Sequence, residues 1–424
     1  MSGRRSTPGP LGSLLRGGGV YWGAMLLAGG VNLGFNLLAA RALGPGRYGE
    51  LAALLALVNA LLLGVSAITR TVTTLVAGRA DPALDTWVLR RGTGWLLGLG
   101  AACTLVLGAA AVPTAHLLHL PRPAWIWVAA LALPPAHAGA ASTGILQGRR
   151  RFAVAGAINL AAAATKFALL LALVQGRAGV GPDAGAAVAE VGVVWLGSTW
   201  ALRPLLRTAP PPRRPALTEG GGLSLPAALT VARLLFLNLD ILAARHFLGA
   251  RAAGLFAALA VTGRIVAYGT GAIPPVLYPY LIRHRHQARL AAACLLLGLG
   301  ATAVAGGAGA AVFYLAPGGL VRALFGPAFA AIAPYAGWYG TAFLLYSLAY
   351  VHLQYLLAAR SPWVWAYALG GGALELAAVS LFHRGLGELT AAVAACFALL
   401  CCATGLHAAG LLRRQLRGAP DPVT

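Results

Sequence analysis

The chain has 424 residues, 59% of them hydrophobic and 10% charged, with a mean hydropathy of +0.77. Soluble domains carry roughly 25% charged residues, so the composition excludes a soluble globular protein and indicates a polytopic membrane protein. The formal charge of +22 does not indicate nucleic acid, because the arginines stand singly or in twos and threes between apolar runs. They form no basic helix or aromatic-interleaved patch, and are the loop charges of a membrane protein.

The N-terminus carries Arg4, Arg5 and Arg16 ahead of an apolar run over 18–40. That run exceeds the apolar stretch of a secretory signal and predicts the first membrane helix. Further spans of about 20 apolar residues follow at 49–76, 93–113, 124–146, 152–175, 184–206, 223–247, 252–281, 289–315, 329–358, 362–382 and 388–412, twelve in all. Gly44-Pro45-Gly46, Asp81-Pro82, Pro121-Arg122-Pro123, Gly181-Pro182-Asp183 and Ser361-Pro362 punctuate the gaps. The longest polar connector, 208–222, divides an N-terminal six-helix half at 1–207 from a C-terminal half at 223–424.

Twenty arginines fall on the side of the termini and the even-numbered connectors, against eight on the other. The positive-inside rule then puts both termini and the 208–222 linker in the cytoplasm, with the two halves parallel. Every basic residue except Lys166 is Arg, a bias suggesting a GC-rich bacterial genome.

The halves share a repeat. LAARALGPGRYGELAAL at 38–54 returns about 205 residues later as LAARHFLGARAAGLFAAL at 242–259. Leu-Ala-Ala-Arg, Leu-Gly, Gly and Ala-Ala-Leu recur in order after one insertion, so Gly49 corresponds to Gly254 and Arg41 to Arg245. Internal duplication of this kind is a signature of secondary transporters.

Four cations fall inside predicted spans: Arg70, Lys166, Arg233 and Arg264. A central Arg or Lys costs about 2.5–3.5 kcal/mol to insert, so these residues line a wet cavity or pair with one another. Arg233, Arg264 and Lys166 lie near mid-span, with Arg70 nearer an end. The functional reading is a cationic cavity that grips a phosphate or pyrophosphate, with Arg bidentate and Lys as a point charge. The structural alternative is snorkelling for Arg70 and pairing for the rest.

Arg233 and Asp240 share a helical face about 10 Å apart, too far for easy pairing. Asn36 is the repeat counterpart of Asp240, and with Asn32 and Asn238 it forms polar stripes suited to a cavity or to helix–helix hydrogen bonds. Glu190 and Glu375 are candidates for binding a coupling proton or Na+, or for a plain ion pair. GTGAIPPVLYPYL at 269–281 predicts a kinked or interrupted helix. His137, His352 and His407 stand isolated on apolar faces and read as packing residues.

No P-loop, GxSxG, HExxH or DxD pattern occurs, and the ten carboxylates give acid–base catalysis little material. No catalytic residue, metal site or cofactor is expected. The five cysteines lie in apolar runs without metal-ligand spacing.

NLLAARALGPGRYGELAALLAL resembles the N-terminal signature of bacterial polysaccharide flippases, the O-antigen and teichoic-acid exporter-like members of the multidrug/oligosaccharidyl-lipid/polysaccharide (MOP) superfamily. The matching residues are Asn36, Ala40, Arg41, Leu43, Gly44, Pro45, Tyr48 and Gly49. NLDILAARHFLGARAAGLFAAL resembles the seventh-helix counterpart through Asn238, Asp240, Arg245 and Gly254, followed by Gly263-Arg264. The resemblance implies an all-α, MATE-like fold of two six-helix halves. It also implies a non-enzymatic transporter in the bacterial inner membrane that flips a lipid-linked oligosaccharide outward by alternating access. Its implied partners are the lipid-linked saccharide, membrane lipids and polysaccharide-synthesis proteins. Twelve spans, without the extra helix pair of fourteen-helix members, argue against lipid II as cargo. A cation-coupled multidrug exporter of the same fold is the alternative. A membrane glycosyltransferase would need acidic catalytic residues and large outer loops, which are not visible.

Overall fold

The computed structural model describes residues 10–77, 82–175, 180–206, 225–271, 273–284 and 287–417. All regular structure among them is helical. In chain order the helices are α1 (Pro10–Leu61), α2 (Leu63–Ala77), α3 (Pro82–Trp87), α4 (Thr93–Ala109), α5 (Ala111–Leu117), α6 (Ala124–Ala130), α7 (Leu133–Gly148), α8 (Phe152–Gln175), α9 (Val180–Ala201) and α10 (Arg203–Leu206). They continue as α11 (Leu225–Phe236), α12 (Leu239–Phe247), α13 (Ala250–Thr270), α14 (Ile273–Arg283), α15 (Ala288–Leu315), α16 (Pro317–Phe325), α17 (Ala333–Ala358), α18 (Trp363–Leu381) and α19 (Leu386–Leu416).

Ten helical runs among the described residues are long and apolar enough to cross a membrane. They cover eleven of the twelve predicted spans, the first two joining into one run, Gly23–Ala77; the seventh is not among them, being divided into α11 and α12, each too short alone. Within α1 the helix is broken at Gly44, whose φ of 70° is open to glycine but strained for other residues. Pro45 follows it, and the break falls at the Gly-Pro-Gly punctuation of the sequence.

The division of the seventh span corrects the expectation of one continuous helix carrying Arg233 and Asp240 on a shared face. No Gly or Pro marks the break. Polar side chains stand in for the lost ladder: Asn238 Nδ2 donates to Leu234 O at 2.7 Å, and Arg264 donates to Leu237 O. The 269–281 stretch is interrupted as predicted, with α13 ending at Thr270 and α14 beginning at Ile273.

Two compact units emerge, Met1–Phe35 with Gly64–Val112 and Ala124–Gly220, and Asn36–Leu63 with Pro113–Pro123 and Gly221–Thr424. This grouping cuts across the 1–207 and 223–424 halves, because 36–63 and 113–123 belong to the second unit. The 208–222 linker lies outside the described residues.

The first unit packs small residues and short polar links, as membrane helices do where apolar burial gives little drive for association. A Cβ on Gly100 would lie 2.6 Å from Pro134 Cα, so α4 and α7 meet backbone to backbone. Thr104 donates to Ala130 O at 2.9 Å, and the Ser142 and Ser198 hydroxyls lie 2.6 Å apart. Arg149 grips buried Asp85 bidentately at 2.7 and 2.9 Å, fixing the end of α7 to α3. In the second unit, Phe236, Tyr339, Phe343, Tyr346 and Phe397 form an aromatic cluster with ring centroids 5.3–6.0 Å apart.

Both copies of the repeat lie in the second unit, and each folds as helix, short break, helix. The corresponding glycines face each other: a Cβ on Gly49 would sit 2.7 Å from Gly254 N, and one on Gly254 would sit 1.5 Å from Pro45 O. The corresponding arginines cap helix ends reciprocally. Arg41 donates to Ala323 O and Leu324 O at the end of α16. Arg245 donates to Leu118 O at 2.8 Å and His119 O at 2.5 Å, just past α5. The two targets are themselves separated by 205 residues, the repeat offset. Each arginine thus satisfies carbonyls that a helix C-terminus leaves without partners.

Candidate functional site

Three residues singled out from the sequence converge in the first unit. Asn32 projects from α1, Lys166 from α8 and Glu190 from α9. Lys166 Nζ donates to Glu190 Oε2 at 2.9 Å and to Asn32 Oδ1 at 2.9 Å, and lies 4.5 Å from the centre of the Phe35 ring. Asn32 Nδ2 donates to the other carboxylate oxygen, Glu190 Oε1, at 3.2 Å. Lys166 is buried, and a cation taken out of water needs this density of acceptors. Glu190 thus stands in an ion pair with Lys166. Phe35 was not foreseen: it is one helical turn from Asn32, but only the arrival of α8 gives its ring a cation.

In the second unit the remaining candidates gather around the break between α11 and α12. Asp240 is fully buried at the start of α12. Its Oδ1 accepts from Ile241 N at 2.8 Å, and its Oδ2 accepts from the Tyr339 hydroxyl. Arg264 lies within electrostatic reach of Asp240, and its Nη2 is engaged by Leu237 O. Its Nε is buried without a hydrogen-bond partner among the described residues. Glu375, on α18, is also fully buried and within electrostatic reach of Asp240 and Tyr339. Neither of its carboxylate oxygens has a hydrogen-bond partner among the described residues. Asn36 accepts from Tyr48 at 3.3 Å.

Arg233 differs from Lys166 and Arg264 in being exposed. It lines a small pocket, partly open to solvent, with Tyr268, Thr270, Tyr346, Ser347 and Tyr350 among its walls. Among the described residues Arg233 is the one charged side chain lining it, and it shares a side-chain hydrogen bond with Tyr350, so the pocket offers a guanidinium fork and phenol hydroxyls. Tyrosines at 339, 346 and 350 recur at helical spacing on α17, and that periodicity was the available sequence signal. Arg70 is exposed on α2.

The isolated histidines are packed and hydrogen-bonded. His137 Nδ1 meets Leu133 O at 2.8 Å, His352 meets Thr404 at 3.3 Å, and His407 meets Tyr367 at 3.1 Å. No group of three His, Cys, Asp or Glu residues able to hold a metal occurs among the described residues.

No family model and no curated protein matches the chain. Solved structures do. An inward-facing multidrug-resistance MATE transporter of the MOP superfamily superposes with a TM-score of 0.69 at 14% identity, over 92% of this chain and 96% of that one. The lipid II flippase MurJ, in an inward closed conformation, gives a TM-score of 0.67 at 12% identity, over 95% and 93%. A MOP-superfamily transporter from Pyrococcus furiosus, described as having reversed pocket polarity suggestive of a different function, gives 0.54 at 14% identity, over 92% and 94%. The chain therefore shares the fold of these structures, all-helical and with multiple membrane-spanning helices.

Proposed function

We propose that this protein is a non-enzymatic membrane transporter that flips a lipid-linked oligosaccharide, carried on polyprenyl pyrophosphate, from the cytoplasmic to the outer leaflet of a bacterial inner membrane. The observation that carries the reading is the Arg233 pocket, an exposed guanidinium held among tyrosines inside a chain of MOP fold. A sugar pyrophosphate cannot enter hydrocarbon, whereas its polyprenyl tail can stay there. A wet, cationic pocket shields the head while the two halves alternate access. Arg233 contacts the phosphate, and the tyrosine rings supply flat faces and hydroxyls for a sugar. Arg264 and Lys166 are already engaged with protein groups and would join only if those contacts opened. Arg70 serves entry or exit. The termini face the cytoplasm, where synthesis of the saccharide supplies substrate and its enzymes are the natural partners.

The test is flipping in proteoliposomes of a fluorescent short-chain polyprenyl-pyrophosphate saccharide. Wild-type protein should move it, Arg233→Ala should reduce the initial rate at least tenfold at equal insertion, and Arg233→Lys should recover only part. Unchanged flipping by Arg233→Ala would overturn the assignment.

The second reading, a cation-coupled multidrug exporter, is favoured by the buried Asp240 and Glu375 and by the MATE superposition. It predicts transport of a lipophilic cation such as ethidium driven by a proton or Na+ gradient, measured in the same vesicles.

A further inference from the structure

The Asn32–Lys166–Glu190 cluster has the donor set of a monovalent-cation site, with the cation supplied by the chain. The ammonium contacts one carboxylate oxygen, one amide oxygen and one aromatic face. Hard oxygens and a ring face are also what a dissolved alkali cation accepts. Asn32 Nδ2 donates to Glu190 Oε1, so the amide oxygen and the carboxylate are linked to each other as well as to the ammonium. The charges balance locally, one cation against one carboxylate.

We propose that Lys166 is a tethered cation occupying a site that would otherwise take free Na+ or K+, so that α1, α8 and α9 are held together without any dissolved ion. Removing the ammonium while keeping Asn32 and Glu190 leaves two converging oxygens, one of them charged. Such a site recruits an ion from solution. The inference stands whichever substrate the protein carries, and its test involves no transport.

The experiment is thermal unfolding of the purified full-length protein in detergent, titrated with NaCl or KCl against N-methylglucamine chloride at equal ionic strength. The wild-type midpoint should be the same in all three salts. Lys166→Ala should gain a saturable rise of roughly 2–4 °C in Na+ or K+ and none in N-methylglucamine, the form of a ligand bound only by the folded state. Adding Glu190→Gln should abolish the gain. Lys166→Cys should behave like Lys166→Ala, and alkylation with bromoethylamine, which rebuilds an ammonium at the same reach, should restore indifference to salt.

Three outcomes would overturn the proposal: a saturable response to Na+ or K+ in wild-type protein, a Lys166→Ala midpoint that is the same in Na+, K+ and N-methylglucamine, or a failure of all Lys166 variants to fold whatever cation is supplied, which would make the lysine a strut that no free ion replaces. Recovery of folded Lys166→Ala only from Na+ or K+ buffers would support it.

Discussion

The two copies of the repeated segment, 38–54 and 242–259, share a backbone plan but are secured to different depths. Arg41 is exposed where it caps α16, while Arg245 is 2% exposed where it caps the end of α5 and is further matched by Glu50 at 3.6 Å. Asn36 accepts a tyrosine hydroxyl from its own segment, Tyr48, twelve residues away. Its counterpart Asp240 accepts one from Tyr339, 99 residues away. Duplication thus supplied equivalent positions, and burial then gave the second copy the heavier share of the polar work. A group in water can be released at little cost, whereas a buried one cannot.

Matched substitutions test this difference, and the glycine pair should give the largest effect. Gly254→Ala places a methyl against the Pro45 carbonyl, a backbone atom that cannot rotate away, so the helices must part. A loss on the order of 3 kcal/mol or more is expected, with little monodisperse protein recovered. Gly49→Ala should be milder, because its nearest contact is 2.7 Å rather than 1.5 Å. Equal behaviour of the two would remove the asymmetry at this contact.

Next come the arginines. Arg245→Ala strips the buried Leu118 carbonyl and the half-buried His119 carbonyl of a charged donor and should cost about 3 kcal/mol in thermal unfolding. Arg41→Ala leaves carbonyls that water can reach and should cost about 1 kcal/mol. Arg245→Lys should recover little, because an ammonium cannot span both Leu118 O and His119 O as the fork does. A larger effect at Arg41 than at Arg245 would break the comparison.

The tyrosines should give the smallest effects. Tyr339→Phe removes the hydroxyl from fully buried Asp240 and should cost about 2 kcal/mol, while Tyr48→Phe should cost under about 1 kcal/mol. Asp240→Asn in the Tyr339→Phe background separates the two contributions. If the carboxylate is what makes the missing hydroxyl expensive, the amide should restore part of the loss.

Much of the architecture was legible from residues alone. Gly44-Pro45-Gly46 marked the first break, and the proline-rich 269–281 stretch marked another, because Gly and Pro act on their own backbone. The break between α11 and α12 was not legible. It is made by Asn238 and by Arg264, the latter 27 residues from the carbonyl it takes. Lys166, Glu190 and Asn32 could each be named as out of place in hydrocarbon. Their mutual contact could not, because the separations are 134 and 158 residues and depend on how three helices lean together. The Arg233 pocket was half visible, through the arginine and the spacing of tyrosines on α17.

Hydropathy and periodicity are sums over neighbouring residues, so the sequence by itself determined that the chain is helical, spans a membrane repeatedly and contains a duplicated segment. It also determined which polar residues needed a partner or a cavity, since that follows from the cost of each charge in apolar surroundings. Tertiary structure alone decided who the partners are. It closed Lys166 into a satisfied triad, turned Arg41 onto the end of α16 and Arg245 onto the end of α5, and set Arg233 among tyrosines at a pocket. Those outcomes depend on contacts between distant helices, where an ångström of approach decides whether a charge is neutralised within the protein or left available to a ligand.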